Sequence, residues 1–272
     1  MPRQTTMKMK INFLKKLAIG IAMLCTPIFS QAWGLEGHRI CGQIAESYLT
    51  PKAKAAIQAI LGNESIAMAS NWADFIKSDD NYKYLSTWHY IDFDKPYTLP
   101  EMQEYLQNDK NTDAYTKLTF MIGELKKKET TPENRLLYLR MVIHIVEDLH
   151  QPMHTGRTGD QGGNAIKLTW FGDATNLHSV WDSKLIDFQQ LSYTEYAAAI
   201  NHTTPAQLNE WEKAPISQWL YESNQLAEKI YNNSLPDSKL SYQYNFMYLD
   251  TLNQQLLKGG VRLAGVLNQI FG

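Results

Sequence analysis

Apolar residues recur at three- and four-residue spacing along most of the chain, a periodicity that predicts a protein built from helices. Residues 35–49 carry it first. A second helix opens at Thr50-Pro51, a cap residue followed by a first-turn proline, and runs to Leu61 before Gly62. Further helical stretches are expected at 66–77, 113–128, 135–149 (stopped by Pro152), from Asn176 onward, at 216–231 and at 242–270. Asp92, Asp94, Pro96 and Pro100 mark 92–100 as a loop, and 157–164 is a glycine-rich loop. Only 165–171 reads as a strand. The expected architecture is therefore all-α: one mostly helical domain with at most a small β-hairpin.

The N-terminus departs from this pattern. Arg3, Lys8, Lys10, Lys15 and Lys16 precede an apolar run over 17–29, and no acidic residue appears before Glu36. With small Ser30 and Ala32 at −3 and −1, this has the form of a secretory signal cut after Ala32. A run of 13 residues broken by Pro27 is too short for a membrane span. Expected domains are thus the signal, 1–32, and the functional domain, 33–272, exported to the periplasm or beyond and without stable membrane association. Cleavage removes five of the 26 basic residues and none of the 28 acidic ones, leaving a formal charge of −7. Such a surface repels polyanions unless positive charge is supplied locally. Cys25 leaves with the signal, and Cys41 alone forms no internal disulfide; it reads as a small buried apolar residue.

The candidate chemistry lies in histidine and aspartate. "HIVEDLHQPMH" places His144 and Asp148 four apart on a helix, so both side chains leave one face. "NLHSVWD" repeats the device with His178 and Asp182, and His154 stands just past the end of the first helix. Imidazole nitrogen combined with carboxylate oxygen suits zinc. "NWADFIK" adds Asp74 with Lys77 one turn on, and "TWHYID" adds His89 and Asp92 around Tyr90. Taken singly, Asp74 reads as a surface carboxylate and His89 as a hydrogen-bonded core histidine.

The ordered set Trp33, His38, Asp74, His89, His144, Asp148, His154, His178 and Asp182 resembles the class I zinc-dependent single-strand-specific nucleases and 3′-nucleotidases, the S-one/P-one type, in a bacterial form. "WGLEGHRI", "WAD", "WHYID", "HIVEDLHQPMH", "GGN" and "TNLHSVWD" follow in order from Trp33 to about Ile186. The resemblance implies three zinc ions per chain. The first would take Asp74, His89, His144 and Asp148; the second His154, His178 and Asp182. The third would take His38, Asp148 as a bridge, and the free amine and carbonyl of Trp33, a ligand that exists only after cleavage. It further implies phosphodiester hydrolysis leaving 5′-phosphates, with Asp74, Lys77 and Asn164 at the reacting phosphate. Tyr90 and Asp92 would receive a nucleobase. Expected partners are single-stranded DNA and RNA and 3′-nucleotides, acted on by a monomer. A zinc phospholipase C-like phosphodiesterase has similar architecture, but its second block ends in glutamate where Asp182 stands here. A secreted protein whose zinc only holds the fold is the non-enzymatic alternative. Glu147, where many relatives carry glycine, reads as an exposed carboxylate ahead of the alternative, a partner of a ligand histidine; His150 is expected to be structural or to support a ligand.

Overall fold

Side-chain caps start many of the helices. The structure, a computed structural model, describes residues 33–272; the basic head, the apolar run, Cys25 and the cleavage site lie outside the described residues. Helix α1 spans Leu35–Tyr48 and α2 Pro51–Leu61, the latter capped by Thr50 and opened by Pro51. The single helix expected over 66–77 is two short ones, α3 (Ile66–Ala69) and α4 (Trp72–Ile76). Buried Ser70 and Asn71 interrupt them. A 3-10 helix, Asp80–His89, delivers His89 at its end.

The loop expected over 92–100 is shorter than that. Helix α5, Leu99–Asn108, begins inside it, because Thr98 and Glu101 form a capping box and Pro100 occupies the first turn. Helix α6 (Ala114–Leu125) and helix α7 (Pro132–Asp148) follow. Every residue of α7 from Met141 to Asp148 is buried, so the second half of this helix runs through the interior with no solvent face, while its first turns are exposed or half-buried.

Strand β1 (Lys167–Trp170) pairs antiparallel with β2 (Asp173–Asn176) in the register Trp170↔Asp173. The turn residues Phe171 and Gly172 both have positive φ, as a tight two-residue hairpin turn requires. A third strand, β3 (Lys239–Leu240), adds in parallel to β1, so the sheet is one strand larger than the expected hairpin. Helix α8 (Leu177–Ser179), a π-helical turn (Val180–Lys184) and α9 (Leu185–Asp187) succeed one another. Helices α10 (Tyr193–Ile200), α11 (Pro205–Lys213), α12 (Ile216–Asn232) and α13 (Tyr242–Phe271) complete the chain.

Two apolar clusters form the core. One joins the interior helix α7 to α2, α6 and the end of α13, the other joins α1 to the β-hairpin, α12 and the start of α13. Helix α13 crosses α1 at Gly260, where a Cβ would stand 2.6 Å from Ile44 Cβ and 2.8 Å from the Cys41 carbonyl oxygen. Cys41 is fully buried there, as its apolar surroundings in the sequence suggest. Among the described residues, no helix is long and apolar enough to cross a membrane.

Candidate metal centre

Three sets of ligating atoms face one another within 4.8 Å: His38, His144 and Asp148; Asp74, His89 and His144; and His154, His178 and Asp182. Residues from α1, α4, the 3-10 helix, α7 and the π-helical turn thus converge. His178 sits on α8 and Asp182 on the π-helical turn that follows, with His178 Nε2 3.2 Å from Asp182 Oδ2. Such turns are common where a helix re-aims a functional side chain.

Asp148 links two of the sets through its two oxygens. Its Oδ1 lies 3.4 Å from His38 Nε2, while its Oδ2 lies 3.0 Å from His144 Nε2 and 3.2 Å from His89 Nδ1. Asp74 also faces both sides, Oδ2 3.9 Å from His38 Nε2 and Oδ1 3.8 Å from His144 Nε2. Lys77 pairs with Asp74 Oδ1 at 2.6 Å. The rings of His38 and His144 stack 4.1 Å apart.

The ring nitrogens pointing away from this space are anchored. His144 Nδ1 meets the Ser70 carbonyl at 2.6 Å, His154 Nδ1 the His89 carbonyl at 2.7 Å, and His178 Nδ1 the Gly162 carbonyl at 2.7 Å. His38 Nδ1 meets Glu147 Oε2 at 2.6 Å. An anchored Nδ1–H leaves the Nε2 lone pair for a metal, the usual arrangement of a ligating histidine. Gly162 can fill its place only as glycine: its φ is +60°, and a Cβ would lie 2.3 Å from the Met153 carbonyl oxygen. Gln151 donates to Asp182 and fixes that carboxylate.

Several of the facing atoms are buried without a hydrogen-bond partner, namely His38 Nε2, Asp74 Oδ2, Asp148 Oδ1 and His154 Nε2. Buried polar atoms are ordinarily satisfied. Anionic oxygens and imidazole nitrogens aimed at common points fit divalent cations of the zinc type. Electrostatics agree. Burial alone would lower His154, but Asp148 and Asp182 raise it to about 9. Burial alone would raise Asp74, yet His144, Lys77 and His38 hold it at about 2. His89 is lowered to about 4, mainly by burial. The carboxylates therefore draw positive charge into the space between them.

Trp33 is docked against this centre. Its indole is fully buried and donates to the Glu147 carbonyl at 2.8 Å, and the next amide, Gly34 N–H, donates to the Asp182 carbonyl at 2.6 Å. Tyr90 follows His89 and is exposed. Asp92 is half-buried, and its Oδ1 lies on the Gly162 side, 3.4 Å from where a Cβ on Gly162 would stand. Burial raises its carboxyl to about 6, against the pull of His154 and His178. Asn164 is half-buried on the same glycine loop and donates to the Gln161 carbonyl at 2.9 Å.

The structure corrects the expectation for Glu147, which is fully buried. Besides holding His38, its Oε1 accepts from Ser70 Oγ at 2.9 Å. Ser70 and Gln151 were not foreseen. His150 is buried, held between the Val146 carbonyl and Arg262, and faces away from the metal-type donors.

Clustered carboxylates and histidines of this kind define a metal-assisted hydrolase. The chain belongs to the S1/P1 nuclease family, whose model matches residues 33–272. It is 30% identical to "Endonuclease 4" of Arabidopsis thaliana over 88% of this chain and 89% of that protein. It is 29% identical to "Nuclease P1" of Penicillium citrinum over 88% and 98%. With "Nuclease S1" of Aspergillus oryzae the identity is 25% over 93% and 97%. The protein is accordingly a nuclease, a hydrolase acting on the ester bonds of nucleic acids.

Proposed function

We propose that the chain is an exported, zinc-dependent phosphodiesterase that hydrolyses single-stranded DNA and RNA to 5′-phosphorylated products and also acts on 3′-nucleotides. The observation that carries this reading is the three facing sets of buried donors, with Asp148 turned to two of them. Three zinc ions per chain fit them. Asp74, His89, His144 and Asp148 would hold the first, and His154, His178 and Asp182 the second. His38, Asp148 and the backbone of Trp33 would hold the third. Bound there, zinc supplies Lewis-acid stabilisation of phosphate charge and a lowered pKa for water.

The chain's own residues do the rest. Lys77, fixed beside Asp74, sets a cation where charge grows on the non-bridging phosphate oxygens. Asn164, on the loop that anchors His178, offers an amide to the same phosphate. The exposed Tyr90 ring gives a base a face to stack on, and Asp92 accepts hydrogen bonds from base N–H groups. A base reaches such a site only after leaving its own stack, which favours single strands over duplexes. Cleavage after Ala32 releases a secreted or periplasmic monomer, residues 33–272, and turns the Trp33 nitrogen from an amide into an amine able to bind metal.

The test is metal analysis of the mature protein paired with hydrolysis of single- and double-stranded DNA, with phosphatidylcholine as control. Zinc near three per chain and preferential cutting of single strands are expected. Active protein with less than about two zinc ions per chain would overturn the tri-metal assignment, and equal rates on both strands forms would overturn the base-pocket argument.

A further inference from the structure

A strip of aromatic rings leads away from Tyr90. Trp88 stands one residue before His89, and Tyr84 meets it edge to face at 5.6 Å between ring centres. On the other side, Lys117 Nζ lies 5.0 Å from the Trp88 ring centre and 5.9 Å from that of Phe120. Tyr84 and Phe120 are 53% and 48% exposed, whereas Trp88 beneath them is buried. The strip joins the base site through the backbone: α6, which carries Lys117 and Phe120, begins at Ala114, whose N–H donates to the Tyr90 carbonyl at 3.1 Å.

Lys117 is marked by the rings it lies over, Trp88 and Phe120; like most described lysines it makes no ion pair. Lys77, Lys83, Lys127 and Lys258 each pair with a carboxylate. Among the described residues no carboxylate lies within 4.0 Å of the Lys117 ammonium. A cation without an ion pair on a protein with net acidic charge, lying over buried Trp88 and exposed Phe120, has the makings of a nucleic-acid contact: exposed rings stack on bases, and the ammonium takes a phosphate beside them.

We infer that Tyr84, Lys117 and Phe120 form an outlying subsite for the single strand, holding nucleotides that flank the one bound at Tyr90. The inference rests on the single-strand nuclease reading and extends it. The strip makes no contact with the scissile phosphate. It contributes affinity for long strands only and leaves the chemical step alone.

The experiment compares mature, zinc-loaded wild type with Phe120→Ala, Tyr84→Ala and Lys117→Gln, on a dinucleotide and on a long single-stranded DNA, over a range of salt concentrations. Phe120→Ala and Tyr84→Ala are expected to raise KM for the long strand about fivefold or more, with kcat and dinucleotide KM unchanged. Lys117→Gln is expected to flatten the dependence of log KM on log salt by about 0.7, the loss of one phosphate contact to a single strand. Melting temperatures should stay level, since all three side chains reach the surface. Unchanged long-strand KM and salt slope in all three variants would overturn the subsite, as would equal KM increases on both substrates together with lowered melting temperature. If wild type cuts neither substrate, the nuclease reading itself fails and the subsite falls with it.

Discussion

Replacing Glu147 tests how the site is braced. One carboxylate orients His38 through Oε2 and Ser70 through Oε1, at 2.6 and 2.9 Å. The Ser70 carbonyl in turn holds His144 Nδ1 at 2.6 Å. A metal on His38 Nε2 would make the Nδ1–H a stronger donor to this carboxylate, the arrangement in which outer partners raise ligand basicity. Losing such a partner costs about 10- to 100-fold in metal affinity, about 1.4–2.7 kcal/mol. Glu147→Gln keeps the size and an acceptor oxygen but removes the charge, so it belongs at the low end. Glu147→Ala also strands a buried Nδ1–H and the Ser70 hydroxyl, at about 1–3 kcal/mol for each buried group left unpaired. Burial pushes the Glu147 acid well above the usual carboxylate range without metal. Glu147→Gln should therefore leave the melting temperature of the metal-free protein nearly unchanged, while Glu147→Ala lowers it. The assay is titration of metal-free protein with zinc against a competing chelator, with melting curves in parallel. Wild-type zinc affinity and stoichiometry in both variants would refute the bracing role.

Three further outcomes are expected. A chain with one or more residues retained ahead of Trp33 should bind one zinc fewer and lose most activity; full zinc content with the leader in place would remove Trp33 from the ligand set. Lys77→Ala should reduce kcat about 10²- to 10³-fold, with some loss of stability because buried Asp74 loses a cation that holds its charge, and a change confined to KM would make Lys77 a binding group only. Glu222 concerns stability rather than the site. Burial would raise its carboxyl, but Arg262, Gln218 and Lys258 hold it at about 2. That depressed value contributes stability above the ordinary carboxylate range, lost as pH falls through about 2. Glu222→Gln should accordingly cost on the order of 2 kcal/mol at neutral pH and nothing near pH 2, measured by denaturant melts at both; a pH-independent deficit would contradict it.

Local rules reach a definite distance into this protein. The 3.6-residue period alone puts His144 with Asp148 and His178 with Asp182 on shared faces, and Thr50-Pro51 starts α2 where the sequence says. Two further signals are local as well: Thr98 and Glu101 form a capping box that opens α5 inside an apparent loop, and the apolar residues on either side of His144 leave Glu147 in a segment buried all round. What the sequence by itself determined was the helical class and which donor residues exist in pairs, because both follow from spacing along one segment. What only the tertiary structure decided was that α1, α4 and the 3-10 helix bring their donors around Asp148, that the π-helical turn brings Asp182 to His154, and that Glu147 points inward to His38 and Ser70. These are meetings between residues far apart in the chain, 59 positions for His89 and Asp148 and 109 for His38 and Glu147, set by how the helices pack around α7, and no local period encodes that distance.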